Sequence, residues 1–263
     1  MRSLVAFVPV VVACGPTPLT PRDPTPGAFH FTIETYNVAA PNFGDVATRE
    51  AIGYSNADIV CLQETGSEWQ PVIEARYENQ YPYRLYHAVD GSGGLTALSK
   101  FPITDGGIIP SPNGWHPSWL LHVETQIGMM DVLNVHLRAI LSGRSSGAEA
   151  YLTVDSDHAQ EIRIFAATVN PSNRTLVVGD FNEEPSGPAV SYLETQGFAD
   201  ALPLFHPGQP TWHEPSVGGQ LEKMLDHVLF DANFAPLNSW VLRRGNSDHQ
   251  AVLAHLEVTE PTL

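Results

Sequence analysis

Thr175-Leu176-Val177-Val178-Gly179-Asp180-Phe181-Asn182 is the stretch that decides how this chain is read. Its first four residues form a β-rich apolar run, the pattern of a strand buried on both faces, and Glu183-Glu184-Pro185 ends it. Asp180 and Asn182 therefore leave the end of a rigid core strand one residue apart, projecting the same way, so that both can reach one substrate group. A capped strand-to-loop turn uses the same residue types. The neighbouring stretches decide between the two readings.

Just upstream, the runs 118–125 and 129–136 predict a hairpin turning at Gln126-Ile127-Gly128 and ending on Asn134-Val135-His136. A Gly/Ser-rich loop at 141–148 precedes a predicted helix at about 152–169, with Ile162, Phe165, Ala166 and Val169 on one face. Downstream, Ser186 is placed to cap a helix at about 187–196, and a loop from Pro203 to Gly219 contains Thr211-Trp212. Leu225-Asp226-His227-Val228-Leu229-Phe230 is a strand, another lies near 236–242, and Gly245-Asn246-Ser247-Asp248-His249 leads to a closing strand from Ala251 to Val258.

Towards the amino terminus, Phe29, Phe31, Ile33 and Thr35 alternate with His30, Thr32 and Glu34, a strand that ends at Tyr36-Asn37. A short helix at 45–54 leads to the buried strand Ala57-Asp58-Ile59-Val60-Cys61-Leu62, which carries Gln63-Glu64 at its end. A helix near 67–79 capped by Ser67 follows, then strands at 83–88, 94–99 and 103–109 and a loop containing Trp115-His116.

With 263 residues and 43% hydrophobic composition, the chain can bury the core of one large α/β domain. The 13 Lys+Arg against 29 Asp+Glu, a formal charge of −16, oppose tight binding of a polyanion through clustered cations and suit a divalent cation instead. Arg2, the apolar run Leu4 to Val12 and Ala13-Cys14-Gly15 have the plan of an export signal, too short to span a bilayer. Val11-Val12-Ala13-Cys14 resembles the lipobox of bacterial lipoproteins. That resemblance implies a signal peptide over 1–13, a lipid on Cys14, and an exported protein anchored to a bacterial membrane at the periplasm or cell surface. Residues 14–27, with five prolines from Pro16 to Pro26, read as an extended, solvated spacer before a domain at 28–263. Cys61 reads as a buried free thiol.

Asn37, Glu64, His136, Asp180, Asn182, Asp226, Asp248 and His249 all fall at strand ends or in the loops just beyond. The succession Tyr36-Asn37, Leu62-Gln63-Glu64, Asn134-Val135-His136-Leu137, Gly179-Asp180-Phe181-Asn182, Leu225-Asp226-His227 and Ser247-Asp248-His249 resembles the endonuclease/exonuclease/phosphatase superfamily, the deoxyribonuclease I-like fold. The resemblance spans about 29–258 and includes Gly94-Leu95-Thr96-Ala97-Leu98-Ser99-Lys100 and Thr211-Trp212.

What it implies is a four-layered α/β sandwich, two packed mixed β-sheets flanked by helices, acting as a divalent-metal-dependent phosphoesterase. Mg²⁺ is the expected ion, with Mn²⁺ or Ca²⁺ as alternatives. By the same resemblance Glu64 is the main metal ligand with Asn37 and Asp248, and Asp180 orients or deprotonates the attacking water with Asn182. His249 contacts the phosphoryl oxygens or transfers a proton, Asp226 fixes its tautomer, and His136 stabilises developing charge or assists the leaving oxygen. Two departures stand out. Gly93-Gly94 replaces a carboxylate that orients the first histidine, leaving Asp90 as a substitute; Pro117-Ser118-Trp119 lacks an arginine, leaving Arg138 as the phosphate contact. The disulfides of secreted animal nucleases are also absent. The expected substrate is a nucleic acid, or a small or lipid-borne phosphate ester as in the sphingomyelinase-like and inositol-phosphatase-like branches, with the protein a monomer. Loss of activity, leaving a surface binding module, conflicts with the complete set of acids and histidines.

Overall fold

In a computed structural model, residues 17–139, 148–216 and 219–259 are described. The signal peptide, Cys14 and most of the 141–148 loop lie outside them. The chain opens with β1 (His30–Asn37), α1 (Val46–Ala51), β2 (Ile59–Gln63), α2 (Trp69–Tyr77), β3 (Tyr83–His87) and β4 (Leu95–Ser99). It continues through β5 (Ile103–Ile109), β6 (Ser118–Thr125), β7 (Gly128–His136), α3 (Ala148–Ala166), β8 (Arg174–Asp180) and α4 (Pro188–Thr195). The last third holds β9 (Ala199–Asp200), α5 (Ala201–Phe205), the hairpin β10 (Trp212–Ser216) and β11 (Gly219–Lys223), then β12 (Asp226–Phe230), β13 (Phe234–Leu242) and β14 (Ala251–Val258).

Two six-stranded sheets result, ordered β13-β14-β1-β2-β4-β3 and β5-β6-β7-β8-β12-β9, with β10-β11 as a separate two-stranded ribbon. Both sheets are mixed: β1 pairs parallel with β2 and β7 parallel with β8, and the remaining pairs are antiparallel. Side-chain alternation divides the core into three layers. Ile33, Cys61, Val132, Val178 and Val252 fill the space between the sheets. Tyr36, Leu62, Trp69 and Ile73 seat α1 and α2 on the first sheet, while Leu133, Val177, Ile162 and Phe165 seat α3 and α4 on the second. The expected four-layered sandwich is the observed fold, and Cys61 is a free buried thiol whose pKa burial pushes up to about 12.

Where the elements differ from expectation, local bonds explain it. Ser67 does not cap α2; its hydroxyl donates to Asp90 Oδ1 at 3.1 Å, and the cap position is Glu68 without a side-chain bond. Ser186 does not cap α4 either: Gly187 occupies that position, and the Glu183 carboxylate reaches back to accept the Val190 N–H at 2.8 Å. The segment expected as a loop from Pro203 to Gly219 holds the end of α5 and the hairpin strand β10. Residues 17–27 carry no helix or strand and are fastened to the domain: Leu19 N–H donates to Leu204 O at 2.7 Å, Arg22 N–H to Leu237 O at 3.0 Å, and Thr25 Oγ1 to Glu257 Oε1 at 3.0 Å. Among the described residues no helix is long and apolar enough to cross a membrane.

Glu34 is the one fully buried carboxylic acid of β1, facing the α1/α2 layer, where among the described residues the Ser55 hydroxyl is its only hydrogen-bond partner. Burial raises its pKa to about 8, so the folded protein holds a proton there that the unfolded chain releases near 4.5. A raised carboxyl pKa contributes stability below the unfolded value and loses it as pH rises through the folded one. The expected outcome is a stability that falls between those two pH values with a slope of up to about 1.4 kcal/mol per pH unit from this group. Glu34→Gln should flatten that slope and raise the melting temperature at pH 8 to 9; a variant whose melting curve follows wild type across the range would contradict it.

Candidate active site

Register carries the site residues to one end of the sandwich. In the first sheet Asn37 pairs with Gln63, which places Glu64 one residue past β2; in the second, His136 pairs with Asp180 and Asp180 with Asp226. The β7–β8 pairing has a demanding step: a Cβ on Gly179, at φ 146°, would sit 1.9 Å from Val135 O. Glycine is required there, directly before Asp180. Glu64 and Asn182 hold left-handed backbone at φ 62° and 51°, unusual for residues with a side chain, and both turn towards the same cavity.

Asp180 is the hub, buried to 1% exposure. Its Oδ2 accepts from Asn37 Nδ2 at 3.0 Å and Asn182 Nδ2 at 3.2 Å, and its Oδ1 accepts from Asn182 N–H at 2.8 Å. His249 Nε2 and His136 Nε2 approach Oδ2 to 3.5 and 3.6 Å. Burial raises the Asp180 pKa, and the neighbouring His249 charge opposes that rise.

Behind His249 stands a buried relay. Asp226 accepts the His249 Nδ1–H at 2.9 and 3.1 Å, and its Oδ2 also accepts from Thr211 Oγ1 at 2.6 Å. Thr211 in turn accepts the N–H groups of Leu225 and Asp226 at 3.0 Å each. Burial disfavours a charged ring, but Asp226 and then Asp180 outweigh it and push the His249 pKa up to about 10. His249 is therefore an imidazolium across the neutral range.

His136 is the opposite case. Its Nδ1–H donates to Ser92 O at 3.2 Å, and burial, reinforced by His116, pushes its pKa down to about 3. The neutral ring turns an unprotonated Nε2 towards Asp180 Oδ2 and, at 4.0 Å, towards Glu64 Oε1. His136 Nε2, Asp180 Oδ2 and Glu64 Oε1 thus lie together at the cavity, a nitrogen and two carboxylate oxygens of the kinds that ligate divalent cations. Glu64, Asp180 and Asp248 line the same cavity of about 440 Å³, and their carboxylates are the hard oxygen donors that Mg²⁺-like ions take. The donor set fits a divalent metal, with Glu64 and Asp248 as its outermost carboxylates.

Two expected roles do not match the geometry. Asn37 turns its Nδ2 to Glu64 Oε1 at 3.2 Å and to Asp180, while its amide oxygen accepts from Ala39 N–H at 3.0 Å; it braces two carboxylates instead of offering a metal an oxygen. Arg138 lies beside the cavity, 7% exposed, ion-paired with Asp157 and with its guanidinium 4.4 Å over the Trp115 ring. It is a buried brace between the 110–117 loop and α3, not a free cation for phosphate. Asp90 does not replace the missing carboxylate behind His136; the Ser92 backbone oxygen does, and a Cβ on Gly94 would meet Thr65 O at 2.0 Å.

Other site features had no role assigned from sequence. His116 stacks on His136 with centroids 4.1 Å apart and planes 10° from parallel. Trp212, Glu214, Leu221 and Lys223 alternate along β10 and β11 to form a wall over the site, and Trp212 Nε1 donates to Asp248 Oδ2 at 3.0 Å. Beneath the catalytic turn, Glu183 binds His158 Nδ1 at 2.8 Å through its side chain and His227 Nε2 at 2.9 Å through its carbonyl. The one available signal was the pattern of polar residues inside apolar segments, which His158 and His227 share with ordinary helix and strand positions.

Such an end-of-sheet cavity on two packed mixed sheets defines a deoxyribonuclease I-like α/β sandwich. The Endonuclease/Exonuclease/phosphatase family model matches residues 35–249, and the chain belongs to that family, whose members are phosphoesterases. No sequence match was found among curated proteins. Similar solved structures include an endonuclease/exonuclease/phosphatase from Beutenbergia cavernae, 18% identical, TM-score 0.63, covering 87% of this chain and 72% of that one. D. rerio TDP2 complexed with single strand DNA product is 16% identical, TM-score 0.65, covering 86% and 98%. The 3′ phosphatase NExo from Neisseria bound to a product DNA hairpin is 16% identical, TM-score 0.62, covering 85% and 98%.

Because Asp226 is a leading cause of the raised His249 pKa, Asp226→Asn should move the alkaline limb of the pH–rate profile to lower pH. An unshifted limb in the variant would detach the imidazolium from the rate.

Proposed function

We propose that this protein hydrolyses phosphodiester bonds by in-line attack of water, assisted by a bound divalent cation. The observation that carries the reading is Asp180 Oδ2, ringed at 3.0 to 3.6 Å by Asn37, Asn182, His249 and His136 at the floor of an acid-lined cavity. Glu64 and Asp248 would hold the cation, Mg²⁺ in the first instance, which supplies positive charge against the phosphoryl oxygens. Asp180, with its pKa raised by burial, accepts a proton from the attacking water, and the two carboxamides keep its lone pairs aimed. His249 donates its Nε2–H to a phosphoryl oxygen, held in place by Asp226 and Thr211. His136, with Nδ1 committed to Ser92 O, serves as an acceptor; it donates to a leaving oxygen only after taking up a proton.

A nucleic acid is the substrate we infer first, supported by the DNA products held by the TDP2 and NExo structures. A second reading, a small or lipid-borne phosphodiester, is favoured by the charge of −16 and by a cavity wall with Glu64, Asp180, Glu214 and Asp248 against Lys223. We further propose that the protein is exported and anchored through lipid on Cys14, supported by Arg2, the apolar Leu4 to Val12 run and Val11-Val12-Ala13-Cys14.

The test is nicking of supercoiled plasmid and hydrolysis of bis(p-nitrophenyl) phosphate by the purified protein, with Mg²⁺ and with chelator. Chelator should abolish turnover, and Asp180→Asn should lower kcat by ~10²–10⁴; turnover within about tenfold of wild type would remove Asp180 from the mechanism. Plasmid nicking marks a nuclease, and diester hydrolysis without nicking marks the second reading. For the anchor, Cys14→Ala should move the protein from the membrane to the soluble fraction of the expressing bacterium. Membrane association unchanged by that substitution refutes it.

A further inference from the structure

A pair of metal-ligating side chains lies on the first sheet, away from the active-site cavity. His30 opens β1 and His255 lies late in β14, and the antiparallel register sets His30 opposite Glu257 and His255 opposite Thr32. The two histidines are therefore diagonal neighbours on one face of the sheet. Nearer the active site, the same face is buried through Tyr36 and Leu253 in the layer that seats α1 and α2. At the His30 end it opens to solvent: His30 is exposed and His255 half-buried.

His30 Nδ1 and His255 Nε2 lie 2.9 Å apart, with ring centroids at 5.0 Å and planes 68° from parallel. With one proton between them the contact is a hydrogen bond. The same separation is the one that two nitrogens on adjacent corners of a single metal ion adopt. At metal–nitrogen bonds of ~2.0–2.1 Å, a right angle at the ion sets them roughly 2.9 Å apart, and a tetrahedral angle roughly 3.3 Å. Right angles belong to square-planar and tetragonal ions, the geometry of Cu²⁺ and Ni²⁺.

The surroundings fix the donor set. Glu257 accepts from Thr25 Oγ1 at 3.0 Å and from Arg22 Nη2 at 3.4 Å; Asp58 accepts the Thr32 N–H at 2.8 Å and a Lys100 Nζ hydrogen at 3.2 Å. Both neighbouring carboxylates are thus committed, which leaves two imidazoles as the protein's ligands and water for the other positions. Such a set takes ions that favour nitrogen over oxygen, and Mg²⁺ is not one of them. Among the described residues, His30 Nε2 and His255 Nδ1 make no hydrogen bond. The ring that now donates can therefore carry its proton on the other nitrogen, and both rings ligate as neutral imidazoles.

We propose that His30 and His255 form a metal site of their own, which binds Cu²⁺ or Ni²⁺ in place of the shared proton. The ion ties β1 to β14 at the end of the sheet remote from Asn37 and the active-site carboxylates. The proposal is independent of the hydrolytic reading.

The test is calorimetric titration of the purified full chain with Ni²⁺ in excess Mg²⁺, beside His30→Ala, His255→Ala and the double variant. Other histidines, those of the active site included, are common to all four proteins, so the differences isolate this pair. Wild type should bind one equivalent more than the double variant. Each single variant should bind that equivalent at least about tenfold more weakly. The double variant should lose little beyond either single one, because two ligands of one ion act as a unit. Ni²⁺ should also raise the melting temperature of wild type more than that of His30→Ala, whose exposed position leaves the fold intact, since an ion held by the folded pair stabilises it. Equal stoichiometry and affinity in all four proteins, or a loss confined to one of the two histidines, overturns the proposal.

Discussion

The site depends on one hydrogen bond that crosses between the sheets. Asn37, at the end of β1, donates to Asp180, at the end of β8, and the same amide nitrogen reaches Glu64 past β2. Two carboxylates from different sheets are thereby held side by side by a single neutral donor. Without it the sandwich would still bury its core, but its acidic ends would have no reason to stay close, since like charges repel where water is scarce. Gly179 makes the contact reachable, because only a residue without a Cβ lets β8 approach Val135 O and present Asp180 in register with His136.

Electrostatics then divides the imidazoles by environment. His249 lies between Asp226 and Asp180 and keeps its proton; His136, with a carbonyl behind it and His116 stacked on its face, gives its proton up. Two histidines, one ending β7 and one in the loop just before β14, thus become an acceptor and a donor. The supporting layer follows the same logic deeper in: His158 and His227 each place both ring nitrogens on oxygen acceptors, and Glu183 and Asp200 raise their pKa values against the effect of burial. These buried ion pairs hold the turn after Asp180 from below. The geometry they fix is the turn's, since a buried pair adds little net stability over well-packed apolar groups.

Much of the fold was legible because strand periodicity is a local signal. β5 and β14 run over 103–109 and Ala251–Val258 as the alternation and apolar runs indicate, and β7 ends on His136 as its pattern indicates. The hairpin β10–β11 was not legible: Pro210, Pro215 and Gly219 read as loop, and its pairing is set by Thr211 and Trp212 docking on Asp226 and Asp248. Arg138 illustrates the same gap. Its place after His136 suggested a phosphate contact, and only the fold brings Asp157 and Trp115 to claim its charge.

By itself the sequence determined the family, the order of the elements and the set of acids, amides and histidines that end the core strands, because each of these is written in short-range pattern. Which nitrogen of each histidine carries a proton, which side of Asn37 faces the carboxylates, and whether a cation is free or paired were decided by tertiary structure alone. Those properties depend on partners tens to hundreds of residues away, such as Ser92 for His136, Asp226 for His249 and Asp180 for Asn37. A proton or a lone pair takes its direction from the groups around it in space, and the chain brings those groups together only when it folds.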